Sequence, residues 1–406
     1  MIRWWPYALA VVASFPGIYQ IFLGNHDGYA LTAGLAGLGI LAAAFLLSWA
    51  CEVAEQDIPQ ALAVSVLALV AVLPEYAVDA TFAWKAASDP DQAAYAIANM
   101  TGGNRLLLGI GWPILILLSR IHLRRNEIVL SRDTGADIAV LLLATAYAMV
   151  PIARGSLNLW DTAVYLTLYV SYLVAASRGE EHEGEPVGPA ALLAAQPARI
   201  RRAAVLGMLL FAASVIFVCA EPFAHALVES GKIMGVDEFV LVQWVAPLAS
   251  ESPEFVVAAL MVWRGASDSG LRTLVSSNVN QWTLLVGTLS VVFSVALGQP
   301  GSLPMDGRQT TEMLLTAAQC LFGIAVISDL SLSVWQGVVL LVLFLISSIF
   351  TEAHFAVGVI YLVLFVGIMV VDRRSRQGIG RSFATYFRLL LNRKSSESDA
   401  AGGSGH

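Results

Sequence analysis

This chain is short of charge. Only 13% of its 406 residues are Asp, Glu, Lys or Arg, and 57% are hydrophobic. A soluble domain carries about 25% charged residues, so an ordinary water-soluble fold is excluded. Cysteine is scarce too. Cys51, Cys219 and Cys320 each sit inside an apolar run; an odd number so placed argues against a disulfide framework and reads as small core residues. No Walker-type phosphate loop is present, so transport, if any, runs on ion gradients. There is no H-E-x-x-H, no intramembrane Ser/His or Cys/His pairing and no histidine cluster, which argues against a membrane enzyme using paired carboxylates. Nucleic-acid signatures are missing as well. The net charge of −7 says little, because the signs are segregated along the chain.

Long apolar runs dominate instead. They fall at about 4–24, 28–54, 59–87, 92–120, 136–153, 159–177, 201–229, 237–264, 269–298, 310–328, 333–350 and 353–371. Each is about long enough to span a bilayer as a helix. The expected fold is an all-α integral membrane protein of about twelve transmembrane helices. The first run is too long for a signal peptide and lacks a clear small-residue cleavage site, so it reads as a retained helix. Arginines cluster at 120–132, at 178–202 and beyond 373. With twelve spans all three groups share one side, and the positive-inside rule makes both termini cytoplasmic in a cell-membrane protein. The acidic stretch 51–58 falls on the same side and runs against the rule.

One phrase occurs twice. Residues 74–89 read PEYAVDATFAWKAASD and residues 253–268 read PEFVVAALMVWRGASD, eight of sixteen positions being identical at an offset of 179. Each copy opens with Pro-Glu inside an apolar run. A carboxylate there is expensive, and a proline removes a backbone hydrogen bond and breaks or kinks the helix. Five apolar runs (28–177) precede the linker 178–200 and five (201–350) follow it. Five is odd, so the units are expected as inverted repeats, with one extra helix at each end (1–27 and 351–372). Such repeats place transported ions at their interface. The linker's EEHEGE run reads as a solvated acidic loop, with a regulatory metal site as the rival. The tail 373–406, basic and then polar, is expected at the inner membrane surface and then disordered.

Polar residues gather around the repeated phrase. Glu251 and Glu254 share a helix face, with Ser250 one turn before Glu254. The next helix carries Ser276, Ser277, Asn278, Asn280 and Gln281. In the first half Glu75 and Asp79 share a face, and the partner helix carries Asn99, Thr101, Asn104 and Arg105. Gly102 and Gly103 permit close helix approach or a local break. Carboxylates, hydroxyls and amide oxygens are the ligand set of hard cations. Four buried carboxylates cannot all ionise unpaired, so protons or cations must compensate, and Arg105 is a candidate internal counter-ion to Glu75 or Asp79. Glu221-Pro222 and His225 read as an access path or a structural kink. Trp84 and Trp263 read as interfacial anchors.

At these residues the chain resembles the calcium:cation antiporter superfamily, which includes the sodium/calcium exchangers. That family carries G-T-S-x-P-E followed by G-N-x-x-G-S-N-x-x-N/D in each inverted repeat. Its glutamates fall on Glu75 and Glu254, its hydroxyl positions before the second glutamate on Ser250 and Glu251, its G-S-N on Gly102-Gly103-Asn104 and Ser276-Ser277-Asn278, and its closing position on Leu107 and Gln281. In the first half Ala98-Asn99 takes the place of G-N, and Ala71 and Val72 take the hydroxyl positions. The resemblance implies a midplane cation site of Glu75, Glu254, Glu251, Ser250, Ser277, Asn278, Asn104, Asn99, Asp79 and Gln281. It implies alternating access, and exchange of Ca²⁺ or another cation against Na⁺ or H⁺. No cofactor is expected beyond the transported cations; the expected partners are those cations and the bilayer. Because the first half has few side-chain oxygens, Na⁺ or K⁺/H⁺ exchange without calcium is the alternative. A transport-inactive scaffold or sensor is the further one.

Overall fold

The computed structural model describes residues 4–23, 28–54, 56–57, 72–179 and 186–391. The chain opens with α1 (Trp5–Leu23), α2 (Tyr29–Ala54) and α3 (Leu73–Lys85). Next come α4 (Gln92–Leu106), a π-helical turn at Leu107–Gly111, and α5 (Trp112–His122). The first half ends with β1 (Glu127–Val129), α6 (Thr134–Tyr147), α7 (Met149–Arg154), β2 (Ser156–Leu157) and α8 (Leu159–Ala176). After α9 (Ala190–Ala194) follow α10 (Ala198–Met234), α11 (Glu238–Trp263), α12 (Ser267–Asn280), a second π-helical turn at Gln281–Leu285, and α13 (Val286–Leu297). The chain continues through β3 (Leu303–Pro304), α14 (Gly307–Ile327), β4 (Ser331–Ser333), α15 (Val334–Ile349), α16 (His354–Val371) and α17 (Arg373–Leu390).

Among the described residues nine helical stretches are long and apolar enough to cross a membrane. α15 is apolar but shorter. Most of the third expected span, residues 58–71, lies outside the described residues, as do the EEHEGE run at 180–185 and the tail from 392. The stretches 92–122, 267–297 and 307–327 are the most buried, whereas α10 and α16 bury about a third or less of their length. The helices that carry Asn104, Asn278 and Glu312 therefore lie toward the centre, and α10 and α16 lie toward the outside.

Several expectations change. The runs at 92–120 and 269–298 are not plain helices: each contains a π-helical turn, starting three residues after Asn104 and after Asn278. Such turns add one residue to the helix and leave local carbonyls less well matched. The glycine pair does not break α4. Gly102 instead provides a close approach: a β-carbon there would stand 1.9 Å from the Gln243 carbonyl oxygen. That carbonyl is free because Pro247, four residues on, has no N–H to give it. α11 nonetheless runs unbroken through Pro247 and Pro253. The tail is helical as far as Leu390, and α17 packs on the body. Tyr386 donates to Ser171 at 2.7 Å, and Arg178 donates to the Leu390 carbonyl at 2.6 Å.

The small strands cross between the halves. β1 pairs antiparallel with β4, and β2 pairs antiparallel with β3. At the rim, α2 and α10 pack closely through glycine. A β-carbon at Gly37 would meet the Phe223 ring at 2.8 Å, and one at Gly39 would meet Cys219 Sγ at 3.2 Å. Beyond the end of α2, Asp57 accepts from Arg201 at 2.8 Å and from Arg202 at 3.0 Å. The Arg201 hydrogen bond first, and then Arg202, hold the Asp57 carboxyl down at about 2. A lowered folded value gives stability that is present above the unfolded value and drains as pH falls toward 2. Asp57→Asn should therefore lower the melting temperature at neutral pH, and the gap to wild type should close between about pH 4 and pH 2. A gap independent of pH would contradict this assignment.

Candidate ion-binding site

Glu75 lies in the first turn of α3, with Asp79 one turn on; both are buried. Pro74 at the head of α3 costs nothing there, since the first helical N–H has no intrahelical partner. From the other half, α11 brings Glu251 and Glu254, and the turn after α12 brings Gln281. The Gln281 Nε2 amide donates to Glu251 at 2.8 Å and to Glu75 at 3.3 Å, bridging the two halves. The carboxyls of Glu75 and Glu251 lie close enough to interact, and so do those of Glu251 and Glu254. Two carboxyls can share a hydrogen bond only if one holds a proton. Ser277 Oγ donates to Glu254 at the far end of the row.

Asn99 Nδ2 donates to Asp79 at 2.8 Å. Asn278 Nδ2 reaches Asn104 Oδ1 at 3.3 Å, joining the two π-turn helices at the point where each π-helical turn is about to begin. Oxygens remain to spare. Glu75 Oε1, Asp79 Oδ2, Glu251 Oε2, Asn99 Oδ1, Asn278 Oδ1 and Gln281 Oε1 are buried and receive no hydrogen bond from the described residues. Such oxygens are costly in a low-dielectric core unless something positive meets them. Four of the six belong to the carboxylates and to Gln281, and Gln281 joins Glu75 to Glu251 across the halves. Among the described residues no three Asp, Glu, His or Cys side chains converge as a resident metal site would need. The carboxyls of Glu75, Glu251 and Glu254 form a row instead, met by Gln281 and Ser277.

Gly103 explains how the first half manages without its serine. A β-carbon there would lie 3.0 Å from Glu75 Oε1 and 3.1 Å from Gln281 Nε2. The space a serine side chain would fill is taken by the longer Gln281 side chain arriving from the second half. The departures at Gly103 and Gln281 are thus complementary.

One expectation is corrected. Arg105 is no counter-ion to Glu75 or Asp79: it pairs with Glu312 of α14 at 3.0 Å and lies over the Trp244 ring at 5.0 Å. Adjacent helix residues point about 100° apart, so Asn104 facing Asn278 sends Arg105 elsewhere. Ser250 Oγ donates within its own helix to the Ala246 and Pro247 carbonyls, both at 3.3 Å, and its lone pairs stay free to accept. Glu221, in α10, holds Lys85 at the end of α3 at 2.5 Å. Glu312 escaped sequence reading because the repeat was followed only over the Pro-Glu phrase. Asp137 of α6 and Glu312 of α14 are both buried acids. Trp84 and Trp263 are more than half exposed at helix ends, as anchors would be.

The sequence model of the sodium/calcium exchanger protein family matches residues 28–178 and 204–351. The chain belongs to that family. Solved structures agree on the fold of this exchanger. The H⁺/Ca²⁺ exchanger CAX is 38% identical over 95% of this chain and 98% of its own, with a TM-score of 0.90. YfkE is 15% identical, covering 86% of this chain and 98% of its own, with a TM-score of 0.62. The sodium-calcium exchanger NCX_Mj is 17% identical, covering 84% and 98%, with a TM-score of 0.51. No curated protein sequence matches.

Two neighbouring glycines of this exchanger should respond differently to alanine. Gly103→Ala crowds only side-chain ends that can give way by a few tenths of an ångström, so it should displace Gln281 and weaken cation binding about tenfold, at ~1.4 kcal/mol, while leaving melting nearly unchanged. Gly102→Ala meets a backbone carbonyl that cannot turn aside and should cost folded protein outright. A cation-binding titration beside a melting curve separates the two; equal behaviour of both variants would contradict the geometry.

Proposed function

We propose that this protein is a secondary antiporter exchanging calcium against protons across the cell membrane. The observation that carries the reading is the row Glu75–Glu251–Glu254. It sets three neighbouring carboxyls, those of Glu75 and Glu251 buried, beside buried oxygens of Asn99, Asn278 and Gln281 that receive no hydrogen bond from the described residues. The carboxyls must hold protons unless a cation compensates them. When a cation enters, the carboxyls give up protons and turn their oxygens to it; when protons return, the cation leaves. Charge stays balanced in the low-dielectric core throughout. Likeness to CAX, an H⁺/Ca²⁺ exchanger, supports protons rather than sodium as the counter-ion.

The architecture read here is twelve spans, as two inverted five-helix repeats with one helix added at each end. Three features support it. The family match falls in two stretches. The π-helical turns sit at equivalent places in both. The strand pairs β1–β4 and β2–β3 exchange partners as a two-fold axis requires. Alternating access comes from α2 and α10 sliding as a pair against the core. Their glycine-mediated packing on each other supports this, and Lys85–Glu221 is then a latch between the sliding pair and α3. Both termini are cytoplasmic in this reading.

Proteoliposomes test it. Calcium uptake should follow an imposed proton gradient, persist without sodium, and vanish in Glu254→Gln. Proton-coupled sodium or potassium flux with no calcium response would replace calcium by a monovalent cation, and flux of no ion would overturn antiport altogether.

A further inference from the structure

Arg105, Glu312 and His354 form a second buried charged cluster that the exchange site does not use. Glu312 Oε2 takes Arg105 Nη1 at 3.0 Å and Gln243 Nε2 at 2.9 Å. Its other oxygen, Oε1, stands 2.5 Å from His354 Nδ1. His354 Nε2 stands 2.7 Å from the Ser347 carbonyl oxygen. Both ring nitrogens thus face oxygens. A carbonyl oxygen only accepts, so Nε2 must carry hydrogen. The Nδ1–Oε1 contact then needs a proton of its own, on the ring or on the carboxyl.

We propose that the His354–Glu312 contact is a second proton-binding site that antagonises cation binding from outside the exchange site. Four elements meet on it. α4 supplies Arg105, next in sequence to Asn104. α11 supplies Gln243, two turns before Glu251. α14 supplies Glu312, and α16 supplies His354 at its first position. The ionisable groups around the contact are Arg105, Tyr361 of α16, which lies near enough to Arg105 to interact with it electrostatically, and Glu352 two residues before His354 on the exposed turn. With the proton present the Arg105–Glu312–His354 cluster carries a net charge of +1; without it the charge is zero. The charge that comes and goes sits on the His354–Glu312 contact, which is tied through Arg105 to the residue after Asn104 and through Gln243 to the Glu251 helix; a net positive cluster there disfavours a cation among the carboxyls, and its neutralisation favours one. By linkage, cation binding then drives this proton off in turn, so one proton is antagonised without sharing the cation's oxygens.

The inference rests on the cation-site reading above, and two readouts keep them apart. In nanodiscs, calcium affinity of wild type should fall from pH 8 to pH 6. In His354→Gln, which keeps a hydrogen-bonding group but cannot titrate, that fall should shrink, by up to about tenfold per pH unit for the one proton removed. An unchanged pH dependence would overturn the proposal. The second readout is the ¹⁵N-histidine spectrum, with His354 assigned by its loss in that variant among the six histidines. Its ring should be bonded through both nitrogens in wild type, and calcium should change its protonation. A His354 signal blind to calcium, in protein that binds calcium, would overturn the proposal. Wild type that binds no calcium at any pH would remove the exchange reading instead; the proton site then stands or falls on whether the spectrum shows a proton on both sides of the ring.

Discussion

Everything in this molecule is arranged around carboxyl groups that have left water. Glu75, Asp79 and Glu251 are buried at the centre of an apolar bundle, and Glu254 is joined to them through Glu251. An ionised carboxylate in such a place costs several kcal/mol unless it is compensated. The compensation here is of three kinds: amide and hydroxyl donors (Gln281, Asn99, Ser277), shared protons between carboxyls, and spare oxygens that a cation can meet. Only the first is permanent. The other two are alternatives, and a site whose compensation must alternate is a site that exchanges.

Backbone approach makes the arrangement possible. Gly102 lets α4 lie directly on the carbonyl that Pro247 frees in α11. That contact sets the depth at which the Pro-Glu helices face the amide helices. Gly103 then admits Gln281, which bonds a carboxyl from each half. Proline defect, glycine contact and glutamine bridge form one chain of cause, and removing any link alters the distance between Glu75 and Glu251. The charged cluster at Glu312 follows the same rule away from the centre: a buried acid is kept because Arg105, Gln243 and His354 surround it.

Much of this was legible in the sequence. The Pro-Glu phrase, repeated at one offset, located Glu75 and Glu254, and helical spacing put Glu251 and Asp79 on their faces. Exchanger membership also followed from these residues. What could not be read was anything dependent on direction around a helix axis between distant segments. Arg105 follows Asn104 in sequence and points to another helix. Ser250 has the right spacing and donates its hydroxyl hydrogen to its own turn. The π-helical turns leave no composition signal, since Leu107–Gly111 and Gln281–Leu285 are as apolar as ordinary helix. Glu312 lies beyond the repeated Pro-Glu phrase, and its partners Arg105, Gln243 and His354 come from distant segments.

The central claim is that cation and protons compete for one row of carboxyls. The direct test is to add calcium to the purified exchanger in a weakly buffered solution with a pH dye. The account predicts prompt acidification, more than one proton per calcium bound, abolished in the Glu75→Gln, Glu254→Gln double variant. Calcium binding with no proton release would contradict it.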